Sequence, residues 1–159
     1  MSKTKVLFLC THNSARSQLA EGLLRHYYGG KYEVFSAGTN PTLVNPLAIK
    51  AMSEIGIDIS KQYSKSIDVF SDSDIDLAVS VCKSSAKTLC ALCGSPSIMG
   101  KPEVVYVKLH KVKHYLNHEF SDPSDFEGTE EDKLNAFRRV RDEIKDWIIS
   151  EFASLKIES

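Results

Sequence analysis

The sequence carries no surplus of either charge: 20 lysines and arginines stand against 21 aspartates and glutamates, a formal net charge of -1. A nucleic-acid backbone is held by a concentrated positive field, and this balance supplies none, so nucleic acid is not an expected partner. The densest basic stretch, residues 108–118 (KLHKVKHYLNH), is short and reads as a solvated face. Long hydrophobic runs are missing too. The opening MSKTKVLFLCTHNS offers one apolar run, at 6–10, too short for a signal-peptide core and far too short to cross a bilayer. A cytoplasmic protein without membrane contact is therefore expected. Cysteine is sparse and unevenly spread, at Cys10, Cys82, Cys90 and Cys93. In a reducing compartment these read as catalytic, redox, metal-binding or buried packing residues, not as a disulfide framework. Nor is such a framework needed, because a chain of 159 residues buries roughly two-thirds of the surface its unfolded form exposes. There is no repeat, low-complexity tract or linker, so residues 1–159 are expected to form a single domain.

What is present is an alternation of strands and helices. Val6, Leu7, Phe8 and Leu9 form a continuous apolar run, as in a strand buried on both faces. From Ser17 the spacing changes: Leu19, Leu23, Leu24 and Tyr27 fall on one helical stripe, which Gly29 and Gly30 stop. Residues 32–37 (YEVFSA) alternate as a second strand running into Gly38. Asn45 can cap the next helix and Pro46 fits its first turn, with Leu47, Met52 and Ile55 as apolar positions before Gly56. Residues 77–81 (LAVSV) read as a third strand and 104–107 (VVYV) as a fourth. Thr129, with Asp132 three residues on, opens a long last helix whose buried face is Leu134, Phe137, Val140, Ile144, Trp147 and Ile148. The pattern predicts an α/β fold, a three-layer sandwich around a four-stranded parallel sheet with right-handed crossovers. Such sheets bind ligands beyond the carboxyl ends of their strands, where the winding reverses. Cys10 closes the first strand and Cys82 the third.

The segment between the first strand and first helix is Cys10, Thr11, His12, Asn13, Ser14, Ala15, Arg16 and Ser17. A cysteine there faces the positive end of a helix and unpaired backbone N–H groups, which favour the thiolate. The same N–H groups form a cradle for a tetrahedral oxyanion. Arg16 adds a planar two-pronged donor for that anion, and the Ser17 hydroxyl is placed to donate to the thiolate. A soft nucleophile at the base of an anion bowl suggests attack on phosphorus or arsenic. The Cys-x5-Arg spacing is a weak signal by itself, and its position between a buried strand and a helix gives it weight. Far downstream, Asp122 followed by Pro123 offers a general acid for the departing oxygen, with proline fixing the loop behind it. No cofactor is expected.

Together, CTHNSARSQLAEG at 10–22, SAGT at 36–39, NPLAIKAMSEIGIDIS at 45–60, SDP at 121–123 and FRRVRDEI at 137–144 resemble the thioredoxin-coupled arsenate reductases. That family shares its fold and anion loop with the low-molecular-weight protein tyrosine phosphatases. The resemblance spans nearly the whole chain except about residues 94–118, where this sequence is longer. It implies that Cys10 attacks arsenate or a phosphate-like oxyanion, that Arg16 and the amides of residues 11–17 hold it, and that Asp122 protonates the leaving oxygen. In a reductase, Cys82 then attacks Cys10, releases arsenite and leaves a disulfide, which a third cysteine passes to thioredoxin. Cys90 and Cys93 compete for that third role, and Cys90 is the nearer fit to the family spacing. In the alternative, a phosphatase hydrolyses a cysteinyl-phosphate, with Asp122 acting as base in the second step. The phosphatase branch typically has two tyrosines after Asp-Pro; here Ser124 and Asp125 follow, which favours the reductase. A monomer with a role in arsenic resistance is expected.

Three departures from the family stand out. Ala15 replaces a second loop cysteine, and His12 replaces a common glycine, so His12 is expected to absorb any unusual backbone angle. Some relatives hold potassium near the loop, at positions matching Asn13, Glu21 and Ser36. Here Tyr63 and Lys65 stand where those relatives show Thr and Asp, so the lysine ammonium is expected to replace the cation beside Glu21. Two readings from other classes remain open. Cys90 and Cys93 have zinc-ligand spacing, with Cys82 and His110, His114 or His118 as further ligands if that stretch is helical. A silent phosphate-binding module is the other; it needs neither the acid nor the extra thiols. The reading adopted has no metal site.

Overall fold

The structure, a computed structural model, describes residues 3–82 and 111–155 and, at Cys82 and Tyr115, the backbone alone. The apolar run at 6–9 is the inner strand of a parallel sheet: β1 (Thr4–Cys10) lies between β2 (Tyr32–Gly38) and β3 (Ile75–Cys82), and β4 (Val112–Phe120) forms the far edge. Being covered on both faces, Val6, Leu7, Phe8 and Leu9 are almost wholly removed from water. Val6, Phe8 and Cys10 join the larger core, while Leu7 and Leu9 join the smaller core on the opposite face.

Three helices, α1 (Arg16–Tyr28), α2 (Pro46–Ser53) and α3 (Glu130–Ser154), contribute to the larger core. A thinner layer, the 3-10 turn Ile67–Phe70, packs on the other face. The result is an α/β fold in three layers. Asn45 caps α2, its Oδ1 accepting from Leu47 N at 2.9 Å, and Pro46 opens the first turn. Thr129 and Asp132 form a reciprocal capping box at α3. Arg138 bridges the two helices, donating to both carboxylate oxygens of Glu54 at 2.8 and 2.6 Å.

Two expectations change. Tyr27 is 37% exposed, and Tyr28, four residues after Leu24, carries the inner stripe of α1 onward. The strand expected at 104–107 lies outside the described residues; the fourth strand observed is Val112–Phe120, most of it within the stretch 108–118 read as a solvated face. As an edge strand it buries Phe120 and half-buries Val112 and Leu116, while Lys113, His114 and His118 stay exposed.

The chain runs from β1 outward to β2 and then crosses back to β3 on the other side of β1. The winding therefore reverses between β1 and β3, whose register pairs Leu9 with Ser80. Cys10 and Cys82 end these two neighbouring strands at the same edge of the sheet.

Candidate active site

Cys10 is a buried thiol at the end of β1, 4% exposed. Six residues later α1 begins, and it differs from the other described α-helices in one respect: no side chain caps it. Its N-cap is Ala15, and Arg16, Ser17 and Gln18 in its first turn are all buried. A buried helix start without a side-chain acceptor leaves N–H donors for a bound anion.

Asn13 shapes the turn into that helix. Its φ of 50° is left-handed, and it is fully buried. Asparagine tolerates this region better than most residues. The unusual angle expected at His12 thus falls one residue later; His12 is exposed, and its carbonyl accepts from Ser64 Oγ at 2.9 Å. Asn13 Nδ2 donates to Ser17 Oγ at 2.8 Å and to Ser36 Oγ at 3.0 Å, and its Oδ1 accepts from Lys65 N at 3.0 Å. Thr11 and Ser14 are half-buried, and Ala15 is buried. Gly38 closes the loop from beside it: a Cβ there would lie 2.6 Å from Thr11 O and 2.9 Å from Asn13 N.

Behind the loop, Ser36 Oγ donates to Glu21 Oε1 at 2.7 Å. Glu21 is buried and pairs with Arg25 at 3.1 Å and Lys65 at 3.6 Å. Burial pushes the Lys65 ammonium below the usual lysine range, and the Glu21 carboxylate opposes that shift. The lysine expected beside Glu21 is there.

Arg16 is 7% exposed and held at both terminal nitrogens. One terminal nitrogen donates to Phe120 O at 3.1 Å; the other lies 3.2 Å from Asp122 Oδ2. Its buried Nε has no hydrogen-bond partner among the described residues. An orphaned donor of this kind is costly unless a ligand satisfies it. Arg16 and Asp122 line a cavity of about 680 Å³ together with Phe120, Asp125 and Phe126. The fold thus brings Arg16 and Asp122 together, with Cys10 and Cys82 at the adjoining strand ends. Cys90, Cys93 and His110 lie outside the described residues. His114 and His118 sit in a strand, not a helix, and the His118 ring stacks on Trp147 with centroids 4.8 Å apart. Among the described residues no three His, Cys, Asp or Glu side chains are grouped to hold a metal.

The sequence profile of the low molecular weight phosphotyrosine protein phosphatases matches residues 5–159. The chain belongs to this family. Within the family it is similar to the arsenate reductase of Halalkalibacterium halodurans, 44% identical over 91% of each chain. It is also 42% identical to the arsenate reductase of Bacillus subtilis strain 168, over 96% of this chain and 97% of that one. A solved arsenate reductase in the phosphate binding state superposes with a TM-score of 0.69 at 31% identity, covering 96% of this chain and 99% of the other. The low molecular weight protein tyrosine phosphatase from T. tengcongensis superposes at 0.67 and 25% identity, covering 96% and 100%.

The site also contains contacts that the sequence motifs do not reveal. The Phe120 carbonyl that orients Arg16 is a backbone atom, so no residue type signals it. Ser124 donates to Asp122 Oδ1 through its N–H at 3.0 Å and its hydroxyl at 2.6 Å. The only sequence cue for that is a short polar residue two places after an aspartate. No helix among the described residues is long and apolar enough to cross a membrane.

Proposed function

We propose that this chain reduces arsenate to arsenite. The observation that carries the proposal is the buried Arg16 Nε, a donor without a partner among the described residues, on a guanidinium whose other nitrogens are fixed by Phe120 O and Asp122. It suits a tetrahedral oxyanion held by Arg16 and the uncapped start of α1. The arsenate reductases at 42–44% identity support arsenic as the central atom.

Cys10 acts as the thiolate nucleophile. It forms a sulfur–arsenic bond as an arsenate oxygen departs, and Asp122 gives that oxygen its proton. Cys82 then attacks the Cys10 sulfur. The sulfur–arsenic bond breaks with its electron pair going to arsenic, so As(V) becomes As(III) while two thiols become one disulfide. Cys90 attacks Cys82, frees Cys10, and leaves a Cys82–Cys90 disulfide for thioredoxin to reduce; Cys93 is the other candidate for this step. The enzyme is expected to be a cytoplasmic monomer. The second reading is phosphatase chemistry at the same Cys10, Arg16 and Asp122, favoured by the likeness to the T. tengcongensis enzyme. It requires no further thiol.

Arsenate-dependent NADPH oxidation with thioredoxin and thioredoxin reductase separates the two, run beside hydrolysis of an aryl phosphate. Arsenate turnover that vanishes in Cys82→Ser while hydrolysis persists supports the reductase relay. No arsenate turnover, with hydrolysis indifferent to Cys82, moves the chain to the phosphatase reading.

A further inference from the structure

The loop after β4 holds the proposed acid in an asymmetric way. Asp122 Oδ1 receives two hydrogen bonds, both from Ser124: the backbone N–H at 3.0 Å and the hydroxyl at 2.6 Å. Asp122 Oδ2 instead faces Arg16, 3.2 Å from a guanidinium nitrogen. The 3-10 turn Pro123–Asp125 fixes this arrangement, because Asp122 is its N-cap and Pro123 is buried.

A carboxylic acid carries its proton on one oxygen only. An oxygen that already accepts two donors is the poorer place for it, since protonation would break at least one of those bonds. Oδ2 faces a single donor and keeps a lone pair for the proton, which is therefore directed to Oδ2, the oxygen turned toward the guanidinium that holds the oxyanion. Without the Ser124 hydroxyl, only the backbone N–H marks Oδ1, and the carboxyl group can turn.

We propose that Ser124 is a positioning residue that acts through Asp122: its hydroxyl pins Oδ1 and so makes Oδ2 the proton donor to the departing oxygen. This rests on the reading of Asp122 as general acid. The role fits the departure from the phosphatase pattern at this place, where Ser124 stands instead of a tyrosine. The serine is exposed and packs into no core, so its removal is not expected to disturb the fold.

The test is a double-mutant cycle between Asp122→Asn and Ser124→Ala, read on single-turnover arsenite release at saturating arsenate and on phenyl phosphate hydrolysis. Phenolate is a poor leaving group, so its departure depends on the acid. Ser124→Ala is expected to lower kcat about three- to tenfold with KM unchanged, as one misplaced donor would. Ser124→Thr, which restores the hydroxyl, should recover the rate to within about twofold of wild type. In the Asp122→Asn background Ser124→Ala should cost nothing further, because a group acting through Asp122 has nothing left to orient. Independent, multiplicative losses would overturn the proposal, as would an effect confined to KM or a failure of threonine to rescue. If Asp122→Asn alone leaves both rates intact, the acid assignment itself fails, which is a separate result.

Discussion

Arg16 Nη2 lies 3.2 Å from Asp122 Oδ2, and this pair joins the first turn of α1 to the loop that leaves β4. The guanidinium is thereby committed in two directions, to Asp122 and to the Phe120 carbonyl, while its Nε–H has no partner among the described residues. A charged group anchored on both sides loses little freedom when an oxyanion arrives. The orientation cost is met by the fold in advance.

Arg16→Lys should therefore fail despite keeping the charge. An ammonium is a point donor on a flexible stem and cannot serve Phe120 O, Asp122 and an oxyanion in one plane. Loss of one charge-assisted bond makes phosphate binding at least about tenfold weaker. Equilibrium titration with inorganic phosphate checks this, and an affinity within twofold of wild type would refute it.

Potassium should have little effect. The Lys65 ammonium stands 3.6 Å from buried Glu21, which is bonded to Ser36 and through it to Asn13 in the loop. With a protein cation already there, a metal cation has little charge left to compensate. Arsenate turnover in potassium chloride should match that in sodium chloride at equal ionic strength, and a several-fold rise in potassium would sink this account.

Gly38→Ala probes the loop from the side of β2. Its new methyl would stand within 3 Å of backbone atoms of Thr11 and Asn13, neither of which can rotate away. The expected cost is about 1–3 kcal/mol of stability, with a fall in turnover because the displaced residues belong to the anion loop. Gly30→Ala, with open space around it, is the control and should be neutral. Matched denaturation curves for the two variants would contradict the close-packing argument.

The sheet and the loop were legible because their signals are local. A run such as 6–9 admits few structures besides a doubly covered strand, and Asn45-Pro46 and Thr129 mark helix starts by capping chemistry alone. The fourth strand was not legible. Residues 112–120 alternate lysine, histidine and glutamate with a few apolar side chains, since one edge needs no burial, and composition there resembles a solvated face. The site shows the same division. Cys10, Arg16 and Asp122 stand in motifs, whereas the Phe120 carbonyl and the left-handed turn at Asn13 are backbone features set by tertiary packing. His12 occupied the glycine-like position, yet the strain fell on the neighbour whose side chain bonds Ser17, Ser36 and the Lys65 backbone.

At the opposite end of the sheet, Asp76 ties three strands together. Its Oδ2 accepts from Lys5 N at 2.8 Å and its Oδ1 pairs with Lys113 Nζ at 3.0 Å. Burial works to raise this carboxyl, but the Lys5 N–H bond and the Lys113 ammonium outweigh it and hold the group below its ordinary value of 3.8. The unfolded chain then binds a proton more readily than the folded one. The stabilisation is present in full above the ordinary value and is lost as pH falls through the lower folded one. Asp76→Asn, which keeps an acceptor but removes the charge, should cost about 1 kcal/mol at pH 7, and the difference should shrink steadily in acid. Because Asp76 follows Ile75 at the start of β3, and Cys10 lies at the other end of the sheet, arsenate turnover should not change. Urea denaturation at pH 7 and in a descending acid series measures the first effect. A stability loss that stays constant with pH would show that the charge of Asp76 contributes nothing.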